Sequence, residues 1–335
     1  VTRNEPSLPP RRFETVQALR FAAAGLVVLA HCASGYFLPG TAGVDLFFVI
    51  SGFIITRLLS DRSALEFAAD RLTRIYPIYW LASVPLLVMG WDGSLQRLLT
   101  SLTLWPWFGE LKLPFLVVGW TLSFEMLFYL GAGLVLWSRR TIPLLGLAYL
   151  LFLGFGYAGA HPLFAYLGNP MVLEFLAGVL IACLPLTRFR AIGLLAALAG
   201  IIAIPLLGRP EFGWPDHMLG FTSRAFLWGP FAALIVWGAL QWEGAFRGRL
   251  WDWIVEGGDA SYSLYLVHPT ILLLAPANPY LKLALMPLVC VAASFPFHWW
   301  VERPLTQASR RLLRLTPSNG RSRPPAIVAV AQDRA

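Results

Sequence analysis

Arg20-Phe-Ala-Ala-Ala-Gly-Leu-Val-Val-Leu-Ala-His31 and, after a turn containing Pro39, Gly43-Val-Asp45-Leu-Phe-Phe-Val-Ile-Ser-Gly-Phe-Ile-Ile-Thr56 together decide how the chain reads. Two apolar runs sit close enough to form a helical hairpin, and each carries charge or imidazole where apolar residues are expected. A polar side chain inside a membrane span costs several kcal/mol unless it has a partner, so Arg20, His31 and Asp45 are functional candidates by default.

The composition supports a membrane setting. Hydrophobic residues make up 57% of the chain and charged residues 13%, and the mean hydropathy is +0.64, well outside the range of soluble domains. The 14 Trp and 10 Tyr suit interfacial belts. A net charge of +8 invites a nucleic-acid reading. The basic residues lie between apolar runs without interleaved aromatics, however, so membrane orientation accounts for them and no nucleic-acid partner is expected. Cys32, Cys183 and Cys290 fall in apolar runs with no metal-ligand spacing, and read as buried free thiols. No metal is expected.

At about 20 apolar residues per span, the sequence predicts an all-α polytopic protein with helices near 17–38, 43–60, 74–91, 118–138, 142–159, 168–186, 191–208, 223–241, 261–277 and 280–301. The proline-broken segment Leu95–Pro114 reads as re-entrant or interfacial. Of the 26 Lys and Arg residues, 21 then fall on the side that holds both termini, which the positive-inside rule assigns to the cytoplasm. Residues 1–15 read as a cytoplasmic extension without a cleavable signal peptide, 16–304 as the membrane domain, and 305–335 as a disordered basic tail.

Arg20 and His31 are eleven positions apart, close to three helical turns, so they share a face about 16 Å apart along the axis. This suits an elongated anionic ligand whose charged end stays at the cytoplasmic surface while its reactive end reaches inward. Plain readings stand beside this one: Arg20 as a topology anchor, His31 as a hydrogen-bonded core residue. Asp45, just past the turn, falls near the depth of His31. There it would either orient and charge the imidazole as a general base or cap the second helix. Glu125, in Trp120-Thr-Leu-Ser123-Phe-Glu125, is expected two turns into its helix at the same depth, either in the catalytic site, bonding an acceptor hydroxyl or assisting His31, or pairing structurally with another span. Arg71 and Arg74 open the predicted third helix and form a possible phosphate clamp beside its N-terminus, or simple positive-inside decoration. His268 is placed to line a cavity or to pack between helices, and is carried with Trp120 and Ser123 as a candidate acceptor contact. Glu174 remains an open intramembrane candidate. His161, His217 and His298 have no assignment. Metalloprotease, redox, P-loop and serine-hydrolase motifs are absent.

Six motifs in order resemble one family: Arg20-x10-His31, Gly43-Val-Asp-Leu-Phe-Phe-Val-Ile-Ser-Gly52, Arg71-Leu-Thr-Arg74-Ile-Tyr-Pro, Trp120-Thr-Leu-Ser-Phe-Glu125, Ser261-Tyr-Ser-Leu-Tyr-Leu-Val-His268-Pro and Glu302-Arg-Pro304. The chain from about 13 to 305 is similar to the type 3 integral-membrane acyltransferases, which include bacterial O-acetyltransferases of surface polysaccharides and acyltransferases of secreted sugars and macrolides. The resemblance implies acyl transfer, usually acetyl from acetyl-CoA, to a hydroxyl of a lipid-linked or exported glycan in the bacterial inner membrane, near glycan-assembly machinery. It implies His31 as catalytic base, Arg20 on the donor pathway, and Arg71 and Arg74 on the CoA phosphates. Family members often carry two adjacent acids where this chain has Glu125 followed by Met126. Two other readings remain open: a transporter using His31, Asp45 and Glu125 as a proton relay, which predicts flux independent of CoA, and an inactive scaffold, which predicts tolerance of His31→Ala.

Overall fold

The structure is a computed structural model that describes residues 13–33, 37–58, 63–107, 112–185, 188–209 and 223–313. Among these residues it is helical throughout, with no strand. Seven helical stretches are long and apolar enough to cross a membrane, and the apolar helices Thr141–Tyr157 and Gly229–Leu240 are shorter. Most of the extension 1–15 and of the tail 305–335, and His217, lie outside the described residues.

The hairpin read from the sequence forms the centre. Helix α1 (Glu14–Cys32) and α2 (Gly43–Leu58) are joined through a 3-10 turn at Leu38–Ala42. The turn fits tightly because Gly40 and Gly43 bring their backbones against the Leu26 and Ala23 carbonyls, where a Cβ would clash. Helix α1 buries Ala23, Ala24, Val27 and Val28 on its inner face. Helix α2 is apolar nearly all round and buried on most sides, as expected of an element surrounded by other helices.

Close approach by small residues sets the next layer, the usual packing device in lipid, where apolar burial alone gives helices little reason to associate. Gly52 of α2 and Gly178 of α8 (Val172–Cys183) interlock, each α-carbon lying against a carbonyl of the facing helix. Gly193 of α9 (Arg190–Leu207) and Gly238 of α11 (Gly229–Leu240) do the same. An aromatic run, Phe48–Phe175–Phe128, stacks at centroid distances of 4.6 and 4.7 Å through the same core.

Helix α3 (Ala64–Gly90) starts ten residues earlier than the sequence predicts. The cause is a capping box: the Glu66 N–H donates to Ser63 Oγ at 3.3 Å and the Ser63 N–H to Glu66 Oε2 at 3.0 Å. Arg71 and Arg74 therefore lie two to three turns inside α3. The free N–H groups expected beside them belong to the turn at Ala64 instead.

After α3, the chain folds back against it. Helix α4 (Leu95–Thr103) is short, and its last carbonyls accept bonds from mid-α3 side chains: Trp80 Nε1 to Leu102 O at 2.9 Å and Tyr76 Oη to Thr103 O at 2.6 Å. The chain returns through a 3-10 turn at Val117–Gly119, where Gly119 abuts the Tyr79 ring, and enters α5 (Trp120–Trp137). Helix α5 thus begins level with the middle of α3.

Helix α6 (Thr141–Tyr157) and the short α7 (Pro162–Leu167) follow. The span expected at 223–241 is broken into α10 (Arg224–Leu227) and α11. An element with no counterpart in the predicted spans, α12 (Arg249–Asp259), lies against α1 with Gly257 and Gly258 on Phe21 and Gln17. It is followed by α13 (Ser261–Leu272), α14 (Pro279–Phe297), a π turn at His298–Glu302 and α15 (Arg303–Leu312).

Candidate active site

Five helices, α1, α2, α3, α5 and α13, surround one open cavity with about 790 Å³ of unfilled space out to its mouth. Its walls are mainly apolar, and its polar lining is concentrated: Arg20, Arg71, Arg74, Glu125, Ser51 and Tyr129.

The three arginines differ in what they already hold. Arg71 is buried and bonds the neighbouring Asp70, which also meets Arg310 of α15 at 2.6 Å; its guanidinium lies 6.0 Å from the Tyr129 ring centroid. Arg74, on the same face one turn on, makes no hydrogen bond or ion pair with any described residue. Among the described residues, Arg20 bonds only the neutral Gln17, at 3.1 Å. Two half-buried guanidiniums therefore face an apolar-walled cavity without a carboxylate bound to either. Unpaired cations in such surroundings are costly, and an anion entering the cavity would relieve that cost.

Glu125 lies on this side of the molecule. Its Oε1 accepts from Ser51 Oγ at 3.3 Å and from Tyr129 Oη, one turn along α5. The sequence placed Glu125 level with His31. The structure places it among the arginines instead, because α5 begins level with the middle of α3, which carries its second turn toward Arg71.

His31 sits in the last turn of α1, at the other end of the face it shares with Arg20, and one side of it is exposed. Its Nδ1 is 2.9 Å from the Val27 carbonyl and 3.3 Å from Nε2 of His268, and the ring centroids are 5.0 Å apart. Nε2 of His31 has no partner among the described residues. His268 is fully buried, and its Nδ1 lies 3.2 Å from the Leu264 carbonyl.

Neither histidine lines the arginine cavity. On the cavity wall, Phe47 and Tyr265 meet edge to face at 5.8 Å. Both line the cavity, and the Tyr265 ring is 6.0 Å from that of His268. Tyr265 Oη is tethered to the Val118 carbonyl at 3.0 Å and lies 2.9 Å from Thr121 Oγ1.

Asp45 is not the partner of His31. Arg224 donates to its carboxylate from Nε at 3.1 and 3.2 Å and from Nη2 at 2.5 Å, and both side chains are buried. The same guanidinium donates to the Thr41 carbonyl at 2.6 Å and stacks 4.8 Å from the Trp228 centroid. Glu174 lies within electrostatic reach of this pair, although neither of its oxygens completes a hydrogen bond. A buried guanidinium outcompetes a neutral imidazole for a carboxylate, which is the physical reason for the difference.

Trp120 and Ser123 point into the core. Trp120 packs edge-on against Phe48 and Phe124, while Ser123 is buried and its carbonyl accepts from Tyr166 Oη at 2.8 Å. Neither lines the cavity. Beneath it, Glu302 accepts from Ser263 Oγ at 2.5 Å and His298 Nδ1 at 2.7 Å, binding the π turn to α13. No cluster of His, Cys, Asp and Glu among the described residues could hold a metal. Reasoning from sequence missed Arg224, whose signal was a lone arginine opening an apolar run. It also missed Tyr129, which recurs four positions after Glu125 on the same helical face.

The family model for the acyltransferase domain matches residues 13–304. The chain belongs to this type 3 acyltransferase family. It is therefore a multi-pass membrane acyltransferase. A relative, the exopolysaccharide production protein ExoZ of Rhizobium meliloti (strain 1021), is 34% identical over 317 residues, covering 82% of this chain and 92% of that protein. No solved structure matches the chain.

Proposed function

We propose that this acyltransferase moves an acyl group, acetyl in the first instance, from acyl-CoA to a hydroxyl of an exported or cell-surface polysaccharide. The observation that carries the donor is the pair of unmatched guanidiniums, Arg20 and Arg74, in an apolar-walled cavity. Phosphates of CoA supply the direct ion pairs those two groups lack, with Arg71 behind them. The name of the ExoZ relative supports a polysaccharide acceptor.

The chain crosses the bacterial inner membrane ten times with both termini in the cytoplasm, a topology that the distribution of Lys and Arg supports. Donor enters from the cytoplasmic side, and acceptor approaches the exposed side of His31. His31 Nε2 takes the proton of the acceptor hydroxyl as its oxygen attacks the thioester carbonyl. The new C–O bond forms, the C–S bond breaks, and the electron pair leaves with sulfur, to be protonated as free CoA. Glu125, bonded to Ser51 and Tyr129, balances charge beside the arginines.

The test is the product. Exopolysaccharide from cells expressing the wild type should carry alkali-labile acyl esters, and cells expressing His31→Ala should make the same polymer without them. Ester content unchanged by His31→Ala would refute the assignment.

A further inference from the structure

The contact between His31 and His268 extends the acyl-transfer reading and rests on it. A carbonyl oxygen only accepts hydrogen bonds, so the 2.9 Å approach of His31 Nδ1 to the Val27 carbonyl places the imidazole proton on Nδ1 and the lone pair on Nε2. His268 repeats the arrangement. Its Nδ1, 3.2 Å from the Leu264 carbonyl, is a donor, which leaves its Nε2 as a bare acceptor. That acceptor faces His31 Nδ1 at 3.3 Å. The three contacts are compatible in one sense only: the His31 Nδ1–H is shared between the Val27 carbonyl and His268 Nε2.

We infer that His268 is the positioning residue for His31, holding it as the Nδ1–H tautomer with Nε2 open to the acceptor. Orienting His31 was one of two tasks expected of Asp45, which Arg224 occupies instead. When His31 takes a proton at Nε2, positive charge spreads to Nδ1–H, and its bond to His268 strengthens as a charge-assisted one. The stabilisation is thus greater in the transition state than before it, which is what raises a rate. A neutral imidazole suits this buried position, because an ionised carboxylate there would need its own cation. The fold supports the geometry. His268 is fully buried, and the Tyr265 ring beside it is tethered to Val118.

The experiment uses the full-length protein, labelled with ¹⁵N-histidine, in lipid nanodiscs. The wild-type spectrum should show His31, assigned by its loss in His31→Ala, protonated at Nδ1 and bare at Nε2. In His268→Leu the His31 signals should become a mixture of tautomers. There kcat should fall at least about 10-fold, the lower end of the loss when partners that orient metal-ligating imidazoles are removed, with KM for the donor unchanged. His268→Gln, whose amide oxygen can reach the place of Nε2, should restore the tautomer and most of the rate.

A His31 protonated at Nε2 in the wild type overturns the inference, even if His268→Leu fails to fold. So does a His268→Leu protein with wild-type tautomer and rate, or a His268→Gln protein as slow as His268→Leu with its tautomer intact. A wild-type protein with the expected tautomer but no acyl transfer from CoA refutes the proposed function and the catalytic consequence, while leaving the His31–His268 coupling in place.

Discussion

Arg224 holds Asp45 across 179 positions of sequence, through two nitrogens, with both side chains buried. The pair fixes the first turn of α2 to α10 and so fixes the floor of the hairpin. Breaking a buried pair by removing one partner leaves an uncompensated charge and costs about 3–5 kcal/mol, whereas replacing both by apolar residues is often close to neutral. Asp45→Leu and Arg224→Leu should each lower the melting temperature sharply, and the double variant should recover most of that loss along with acyl transfer. A stable double variant with no activity would instead give Asp45 a chemical role.

Glu125 offers a sharper separation of roles. Glu125→Gln keeps an acceptor for Ser51 and Tyr129 but removes the carboxylate that lines the arginine cavity. Turnover should stay within a few-fold of wild type, and donor binding should be unchanged or tighter. A loss beyond about 100-fold, typical of a missing acid or base, would place Glu125 in the chemistry.

Phe47 and Tyr265 both line the arginine cavity, and the Tyr265 ring lies beside His268, so under the proposed transfer a thioester reaching from Arg20 to His31 passes this pair. Phe47 packs against all three apolar clusters of the bundle, which makes Phe47→Ala a poor probe because the cavity left behind would cost about 3–5 kcal/mol. Phe47→Leu keeps an apolar filler while opening the passage. Its ratio of butyryl to acetyl transfer, measured by CoA release, should rise above that of wild type. An unchanged ratio would mean that chain length is selected elsewhere.

The interlocked glycines should be intolerant of a single methyl. Gly52→Ala and Gly178→Ala force a Cβ into the backbone of the facing helix, and overpacking of this kind costs about 1–3 kcal/mol or more. Gly131, which has nothing within 4 Å of a built Cβ, is the control. Thermal unfolding should separate Gly131→Ala, near wild type, from the other two.

The hairpin, the helical class and the shared face of Arg20 and His31 were legible because they depend on local spacing and hydropathy. Free, buried thiols at Cys32 and Cys290 also followed from their apolar surroundings, whereas Cys183 is free but only half-buried. Partners joined across distant helices were not legible. Asp45 and Arg224 are far apart in sequence, and spacing within one helix carries no information about which helix a side chain faces. The depth of Glu125 was misread for a different reason. Counting turns inward from a loop assumes that the loop lies at the surface, and here the loop dips between helices before α5 begins. The start of α3 was hidden by an apolar pattern that Asp70, Arg71 and Arg74 interrupt, although Ser63 and Glu66 carry the spacing of a capping box.

The central claim is that donor charge is held at one end of α1 and proton transfer occurs at the other. Calorimetric binding of acetyl-CoA to the purified protein, paired with CoA release in the presence of exopolysaccharide acceptor, tests it most directly. His31→Ala should bind acetyl-CoA as wild type does and release no CoA to the acceptor. The Arg20→Ala/Arg74→Ala protein should bind at least about tenfold more weakly, since a charge-assisted hydrogen bond contributes about 1.5–3 kcal/mol. Wild-type affinity in the arginine variant, or turnover retained without His31, would contradict the account.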